Sequence, residues 1–421
     1  MLDIRAIRED AGRFRAGLAR RNLGDAVDAL LAADELRRDL TARVEDLRAR
    51  QNRVSKEIGA ASAEDKRSLI AEVGKVSAEL KELEPALADA QRSLADLLAV
   101  TPNVPDESAP DGFTDEDAVE IRRHGAPPAF AFEPRDHVAL GEALGVLDTE
   151  RGARTSGSRF VYLLGDIVFV QIALMRHAMD VLAAHGFTPV IPPVLVREEA
   201  MFGTGFLPTD AVNIYRTEED ELYLVGTSEV PLAAFHMDEV LDAGSLPLRY
   251  AGWSTCFRKE AGSYGKDTRG ILRVHQFDKI EMFSYVDPAD AAAEHLRLLA
   301  WEKEMLAKVE LPYRVIDVAA GDLGGSAARK YDCEAWVPTQ GRYRELTSTS
   351  NCTTFQARRL RMRVRDADGV MPLATLNGTL ATTRWIVAIL ENHQQADGSV
   401  VVPLALRPFL GGVEVLEPVA K

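Results

Sequence analysis

The sequence predicts an α+β protein, in which a long antiparallel α-helical coiled-coil hairpin precedes an antiparallel β-sheet domain flanked by helices. Three observations carry this. Between about 28 and 98, apolar residues recur at alternating three- and four-residue spacing, the pattern of helices that bury one stripe against each other. The stretch TPNVPDESAPDG at 101–112, dense in Pro, Asp and Ser, then reads as a linker. Beyond it, strand-like and helix-like runs follow one another without the regular alternation of a parallel sheet, which favours antiparallel strands carrying helices. The chain therefore divides into 1–103, with its arm at about 28–98, and 104–421.

In the outgoing arm the expected seam is Ala33, Leu36, Leu40, Val44, Leu47, Gln51, Val54 and Ile58, with a four-residue slip between Leu36 and Val44. The returning seam is Leu69, Val73, Val76, Leu80, Leu83, Leu87, Ala90, Leu94 and Leu97. Between them, Gly59 can close the first helix and Ser62 with Asp65 can form a capping box for the second. Pro85 is expected to kink the returning arm. Arms of about 30 residues at about 1.5 Å each reach about 45–50 Å, more than a folding core requires. Arg37, Arg38, Arg43, Arg48, Arg50, Arg53 and Lys56 make the outgoing arm basic, so it could contact phosphates; a solvated helical flank explains these charges as well.

Composition bounds the function. The 421 residues, 46% hydrophobic, can bury more than one core. A formal charge of −15 excludes a protein coated in basic surface, so nucleic acid would need a local patch. Cys256, Cys333 and Cys352 are far apart and form no CxxC pair, so neither a disulfide framework nor a paired-cysteine zinc site is indicated, and the histidines show no HxxxH spacing. The start MLDIRAIRED lacks a signal-peptide core, and the most apolar run, 161–175, is broken by Asp166 and falls short of a membrane span. A cytoplasmic protein without membrane contact is expected.

In the second domain the pattern predicts a helix over 165–185, the strand-like TPVIPPVLV at 188–196, strands near 222–226 and 273–285, and helices near 289–308 and 379–393. Glycine-rich GSRF (157–160) and GDLGGSAARK (321–330) lack phosphate-loop spacing and are assigned to loops. Within FRKEAGSYGKDTRGILRVHQFDKIEMF (257–283), residues two apart on a strand share a face. Arg258 would then point with Glu260, and Phe277 with Lys279 and Glu281. Three more segments carry matching groups: Thr227 and Glu229 in TSEVPL, Glu345 and Ser348 in RELTSTSN, and Asn377, Thr379 and Arg384 in LNGTLATTRWIVAILENHQ. A carboxylate and a hydroxyl spaced like Glu345 and Ser348 suit a hard divalent cation such as Mg²⁺.

FRKE followed by a loop and RVHQFDKIEMF resembles the second signature of class II aminoacyl-tRNA synthetases, and LNGTLATTRWIVAILENHQ resembles the third. With GTSE, ELTSTSN and the N-terminal helical hairpin, nearly the whole chain is similar to the bacterial-type seryl-tRNA synthetase family. The resemblance implies a class II synthetase fold, a homodimer built through the helix and strand ending at Pro193, ATP and Mg²⁺ but no zinc, and L-serine with tRNA(Ser) as substrates. It leaves tRNA(Sec) as a second candidate acceptor. Arg258 and Arg384 would be catalytic, Arg258 on the α-phosphate and the serine carboxylate, Arg384 on the γ-phosphate. The ATP contacts would be completed by Lys259, Glu260 and Val274, by Phe277 stacked on adenine, and by Glu345, Leu346, Thr347 and Ser348, with Glu345 and Ser348 on Mg²⁺. Thr227, Ser228, Glu229, Arg258, Glu281, Asn377 and Thr379 would hold serine, Glu281 accepting from its hydroxyl. Arg43, Arg50, Arg53 and Lys56 on the arm and Arg269 in the loop from Gly262 to Gly270 would meet tRNA, and that loop would close over the phosphates or the acceptor end. An adenylate-forming ligase that hands serine to a carrier protein or a biosynthetic amine needs the same site, but it has no use for so long an arm. A binding protein without activity would have no need of the arginines and metal oxygens.

Overall fold

The computed structural model describes residues 1–261, 267 and 269–419. In the unit Met1–Val104, helices α1 (Ile4–Glu9), α2 (Ala11–Ala19), α3 (Ala26–Ala60) and α4 (Ala63–Val100) follow one another. α3 and α4 form the antiparallel hairpin: Arg48 meets Glu84 and Arg50 meets Glu72, partners that run in opposite chain senses, and Gln51 meets Ser77 between the two helices. Val44, Leu47, Val76 and Leu80 form its apolar seam, with Leu83 and Leu87 packed alongside. Each such burial contributes about 1.5–3 kcal/mol. Ser62 caps α4, accepting the Asp65 N–H at 3.3 Å and donating to its carboxylate at 2.6 Å. α3 runs through Gly59 to Ala60, and α4 continues as one helix through Pro85.

The seam departs from the expected one at its root. Leu36 is exposed, and Asp34 occupies the buried position instead. The buried stripe Val27, Leu30, Asp34, Leu40, Val44, Leu47 and Val54 alternates threes and fours except between Asp34 and Leu40, six residues apart, so the phase shift falls there. An unpaired carboxylate there would be costly. Arg8 at 3.3 Å, Arg37 at 2.7 Å and Arg38 at 3.1 Å surround it, the first arriving from α1.

The unit Pro105–Lys421 is built on one eight-stranded sheet. Its strands in chain order are β1 (Val119–His124), β2 (Thr188–Val190), β3 (Leu248–Phe257), β4 (Gln276–Val286), β5 (Tyr313–Asp317), β6 (Arg329–Val337), β7 (Arg342–Asn351) and β8 (Ala374–Thr382). They lie side by side as β1–β5–β6–β7–β8–β4–β3–β2. All neighbours are antiparallel except β2 and β3, which are parallel. The principal helices of this unit are α5 (His137–Ala143), α6 (Asp166–Ala184), α7 (Ala291–Lys308) and α8 (Trp385–Asn392).

One side of the sheet is the core. Ile280, Met282 and Val286, alternate residues of β4, pack with Leu174 and Met175 of α6, Leu298 and Met305 of α7, and Ile386 and Ile389 of α8. α6 is long and apolar enough by composition to cross a membrane. In this fold its Ile167, Val170, Leu174 and Leu182 are buried in that core.

Three expected elements differ. TPVIPPVLV breaks into Thr188–Val190 and Leu195–Val196, because Pro192 and Pro193 cannot donate to a ladder. The helix expected from 379 starts only at Trp385. Residues 374–382, threonine-rich and entirely buried, pair instead as β8 with both β7 and β4. On β3, the strand ends at Phe257, so Arg258 and Glu260 do not share a face by strand alternation; Glu260 has φ +49.

Candidate active site

The free side of the sheet floors a cavity of about 650 Å³. Strand alternation places Phe277, Lys279 and Glu281 of β4 on it. β7 and β8 need bulges to do the same. β7 carries one extra residue opposite Cys333 and Glu334, so Glu345 and Ser348, three apart, both face the cavity. β8 slips between Thr379 and Ala381, which leaves Asn377, Thr379 and Thr382 on the cavity side. At the end of the β3–β4 hairpin, the Arg258 N–H donates to the His275 carbonyl at 3.0 Å.

At one end of the cavity lies a carboxylate cluster. Lys279 donates to Thr227 Oγ1 at 2.6 Å and to Thr379 Oγ1 at 3.5 Å, and it forms an ion pair with Glu281. Glu229 accepts from Gln356 Nε2 at 2.7 Å and from Asn377 Nδ2 at 3.0 Å, while its own N–H donates to Thr227 Oγ1 at 3.1 Å. Burial, and after it the charge of Glu281, pushes the Glu229 carboxyl up to about 7. Two carboxylates, Glu229 and Glu281, share one lysine at that end, which is lined with oxygen acceptors, a setting for a small cation that also carries a hydroxyl.

Arginines line the rest. Arg258 Nε donates to the Gly226 carbonyl at 3.0 Å, and its guanidinium lies 5.2 Å from the Phe277 ring centre. Glu260 is held by Arg273 at 2.6 Å. Arg384 donates from Nε to the Leu272 carbonyl at 3.0 Å and from Nη1 to the Glu345 carbonyl at 2.9 Å. Burial raises the Glu345 carboxyl, yet Lys330, Arg384, Arg258 and Arg273 outweigh it and hold the group below its ordinary range. Beside it, Lys330 pairs with Asp332 at 2.9 Å. Guanidinium groups fixed by carbonyls before any ligand arrives can stabilise developing negative charge with little reorganisation.

Among the described residues, no group of three or more His, Cys, Asp or Glu side chains is arranged to hold a metal ion. Mg²⁺ asks for less, because it keeps waters and substrate phosphates and takes only one or two protein oxygens. The ionised Glu345 and the hydroxyl of Ser348, brought onto one face by the bulge, fit that demand.

Of the residues singled out from the sequence, the cavity gathers Thr227, Glu229, Arg258, Glu260, Val274, Phe277, Glu281, Glu345, Leu346, Ser348, Asn377, Thr379 and Arg384. Four others lie elsewhere. Ser228 is fully buried, Thr347 donates to the Thr379 carbonyl from within the sheet, Lys259 sits 5.6 Å from the Tyr215 ring, and Arg269 is exposed at 3.6 Å from Asp136. Residues 262–266 and 268 of the loop expected to close over the phosphates lie outside the described residues. On the arm, Arg50 is bound to Glu72 at 2.6 Å and Arg43 lies 3.8 Å from Asp39, whereas no ion pair among the described residues engages Arg53 or Lys56.

Lys279, Arg273, Lys330 and Gln356 join the site without a role assigned to them from sequence. Lys279 was within reach, since it falls between Phe277 and Glu281 on the same strand face. Gln356 reaches Glu229 across a long stretch of chain and carries no local signal.

Comparison with known proteins agrees with this geometry. Residues 1–105 match the seryl-tRNA synthetase N-terminal domain, and 212–393 match the tRNA synthetase class II core domain (G, H, P, S and T). The serine–tRNA ligase of Thermobifida fusca is 58% identical over 423 residues, covering 100% of both chains, and that of Streptomyces coelicolor is 57% identical over 431. Among solved structures, seryl-tRNA synthetase from Pyrococcus horikoshii complexed with ATP superposes with TM-score 0.94 at 39% identity over 100% of both chains. The cytoplasmic serine–tRNA ligase of Naegleria fowleri in complex with AMP gives 0.89 at 33%, covering 100% of this chain and 99% of its own.

Proposed function

The chain belongs to the seryl-tRNA synthetase family, and from that premise we propose how its cavity activates L-serine with ATP and passes it to the 3′ end of tRNA(Ser). The serine carboxylate attacks the α-phosphorus, pyrophosphate leaves with the breaking P–O bond, and a ribose hydroxyl of the tRNA end then takes the seryl group and releases AMP. A carboxylate needs no general base, so the first step rests on in-line placement and charge neutralisation. Arg258 faces both the carboxylate and the α-phosphate, Arg384 holds the γ-phosphate, and Phe277 stacks on the adenine while Glu260 meets its edge. Mg²⁺ bound by Glu345 and Ser348 would supply further neutralisation of the phosphates.

Serine enters the acidic end. Its ammonium lies beside Glu229, its hydroxyl donates to Glu281, and Thr227, Asn377 and Thr379 complete the pocket. Lys279 holds Glu281 in place, a role supported by their ion pair. A pocket built to bond the hydroxyl rejects alanine strongly, whereas threonine, which keeps that hydroxyl and adds a methyl, is the harder competitor.

The arm, with Arg53 and Lys56 exposed, reaches tRNA, and tRNA(Sec) remains a second candidate acceptor. We place the protein in the cytoplasm as a homodimer. Support for the dimer comes from α6 and the segment after β2, where Phe169 (59%), Ile172 (47%) and Ile191 (83%) are exposed apolar residues.

One observation carries the reading: two carbonyl-fixed guanidinium groups and a buried cation-seeking carboxylate share one cavity. Pyrophosphate exchange with each amino acid in turn, followed by charging of bulk tRNA, tests it. Exchange should depend on serine; exchange driven by another amino acid, or adenylate formed without tRNA charging, overturns it.

A further inference from the structure

Two buried side chains outside the cavity are joined to it through the backbone. Glu391, in α8, is 1% exposed, and His137, the first residue of α5, is 5% exposed. Glu391 Oε1 accepts the His137 N–H at 3.1 Å and lies 2.9 Å from His137 Nδ1, while Oε2 accepts from the N–H and hydroxyl of Thr339 at 3.2 and 2.7 Å. On the other side of the ring, the Ile271 N–H donates to His137 Nε2 at 3.2 Å. A backbone N–H can only donate, so Nε2 must carry a lone pair and the ring proton must sit on Nδ1, where Glu391 receives it. The carboxylate thus fixes both the tautomer and the direction of the imidazole.

The ring also packs against the chain at Gly270. A Cβ added there would lie 1.9 Å from His137 Nε2, and φ at this residue is +82, so both space and conformation require glycine. Immediately beyond the tethered peptide, the Leu272 carbonyl accepts from Arg384 Nε at 3.0 Å. The path runs from Glu391 to His137 to the 271–272 backbone to the guanidinium.

We propose that His137, oriented by Glu391, is a positioning residue for the nucleotide phosphates, because it clamps the 270–272 backbone whose Leu272 carbonyl aims Arg384. The inference rests on the reading of Arg384 as the residue that holds the γ-phosphate. A seryl-adenylate has lost the β- and γ-phosphates, so the clamp serves the first half-reaction and not the second. A structural prop would serve both alike.

Two substitutions separate the two ring nitrogens. In H137N the amide can still donate to Glu391 from the Nδ1 position but cannot reach Ile271, whereas H137Q places an acceptor near the Nε2 position. In pyrophosphate exchange, H137N should raise the KM for ATP about tenfold, the effect of one buried hydrogen bond, and leave the KM for serine within about twofold. H137Q should restore most of the ATP affinity, and single-turnover transfer from preformed enzyme-bound seryl-adenylate to tRNA should proceed at the unmodified rate in both. Equal loss in both half-reactions, or an H137N enzyme with normal ATP KM, overturns the proposal. R384A, run in parallel, locates the failure. If R384A raises the KM for ATP and H137N does not, the positioning role is wrong; if R384A leaves it unchanged, the phosphate role of Arg384 is wrong and the proposal goes with it.

Discussion

If Glu229 receives the serine ammonium as proposed, serine binding should depend on pH. In the free protein its carboxyl sits at about 7, raised by burial and by Glu281. A serine ammonium docked beside it would return it towards the ordinary carboxylate value of about 4.3. Between those two values, the serine-bound form holds fewer protons than the free form, so affinity falls as pH falls through 7. With a free-state value near 7, nearly all Glu229 is ionised at pH 8 and about one tenth at pH 6, so serine should bind about tenfold more weakly at pH 6. At pH 7 about half a proton should be released for each serine bound.

The sign for folding is opposite to that of an ordinary ion-paired carboxylate. A folded-state value above the unfolded one means that this group's contribution is intact below about pH 4.5 and is lost as pH rises through 7, by about 3 kcal/mol in the serine-free protein. Serine should recover part of that loss. The assay is titration calorimetry with serine in two buffers of different ionisation enthalpy, at pH 6, 7 and 8. E229Q should bind weakly with no pH slope over this range. A flat serine affinity between pH 6 and 8 in the unmodified protein, with no proton release, would refute the reasoning.

Other expectations follow from the same geometry. R258A should abolish serine-dependent pyrophosphate exchange, since the guanidinium beside Phe277 is the one proposed to meet both reacting groups; retained exchange would remove it from the reaction. Deleting residues 30–97 should preserve adenylate formation and abolish tRNA charging, whereas loss of both, or of neither, would contradict the division of labour between arm and sheet. I172D should convert a dimer to a monomer in light scattering after gel filtration, and an unchanged mass would move the subunit interface elsewhere.

How far the site was legible depends on how local its causes are. The heptad spacing of the hairpin and the facing of Phe277 and Glu281 are properties of adjacent residues, so they could be read directly. The co-facial placement of Glu345 and Ser348 needs the bulge in β7, a feature set by pairing with β6 and invisible in a single strand. The stretch from 379 looks helical because apolar residues are dense, yet pairing with β4 through Thr382 draws its start into the sheet. Asp34 was passed over because a carboxylate is not expected in a seam, and only the arginines around it make its burial tolerable. His137 and Glu391 meet across 254 positions of sequence, and nothing near either one announces the other.

The most direct measurement is a crystal structure with a non-hydrolysable seryl-adenylate analogue. The account predicts adenine against Phe277, the phosphate-mimicking link at Arg258, and the seryl ammonium and hydroxyl between Glu229 and Glu281. An analogue bound outside this cavity, or one whose seryl group points away from those two carboxylates, would contradict it.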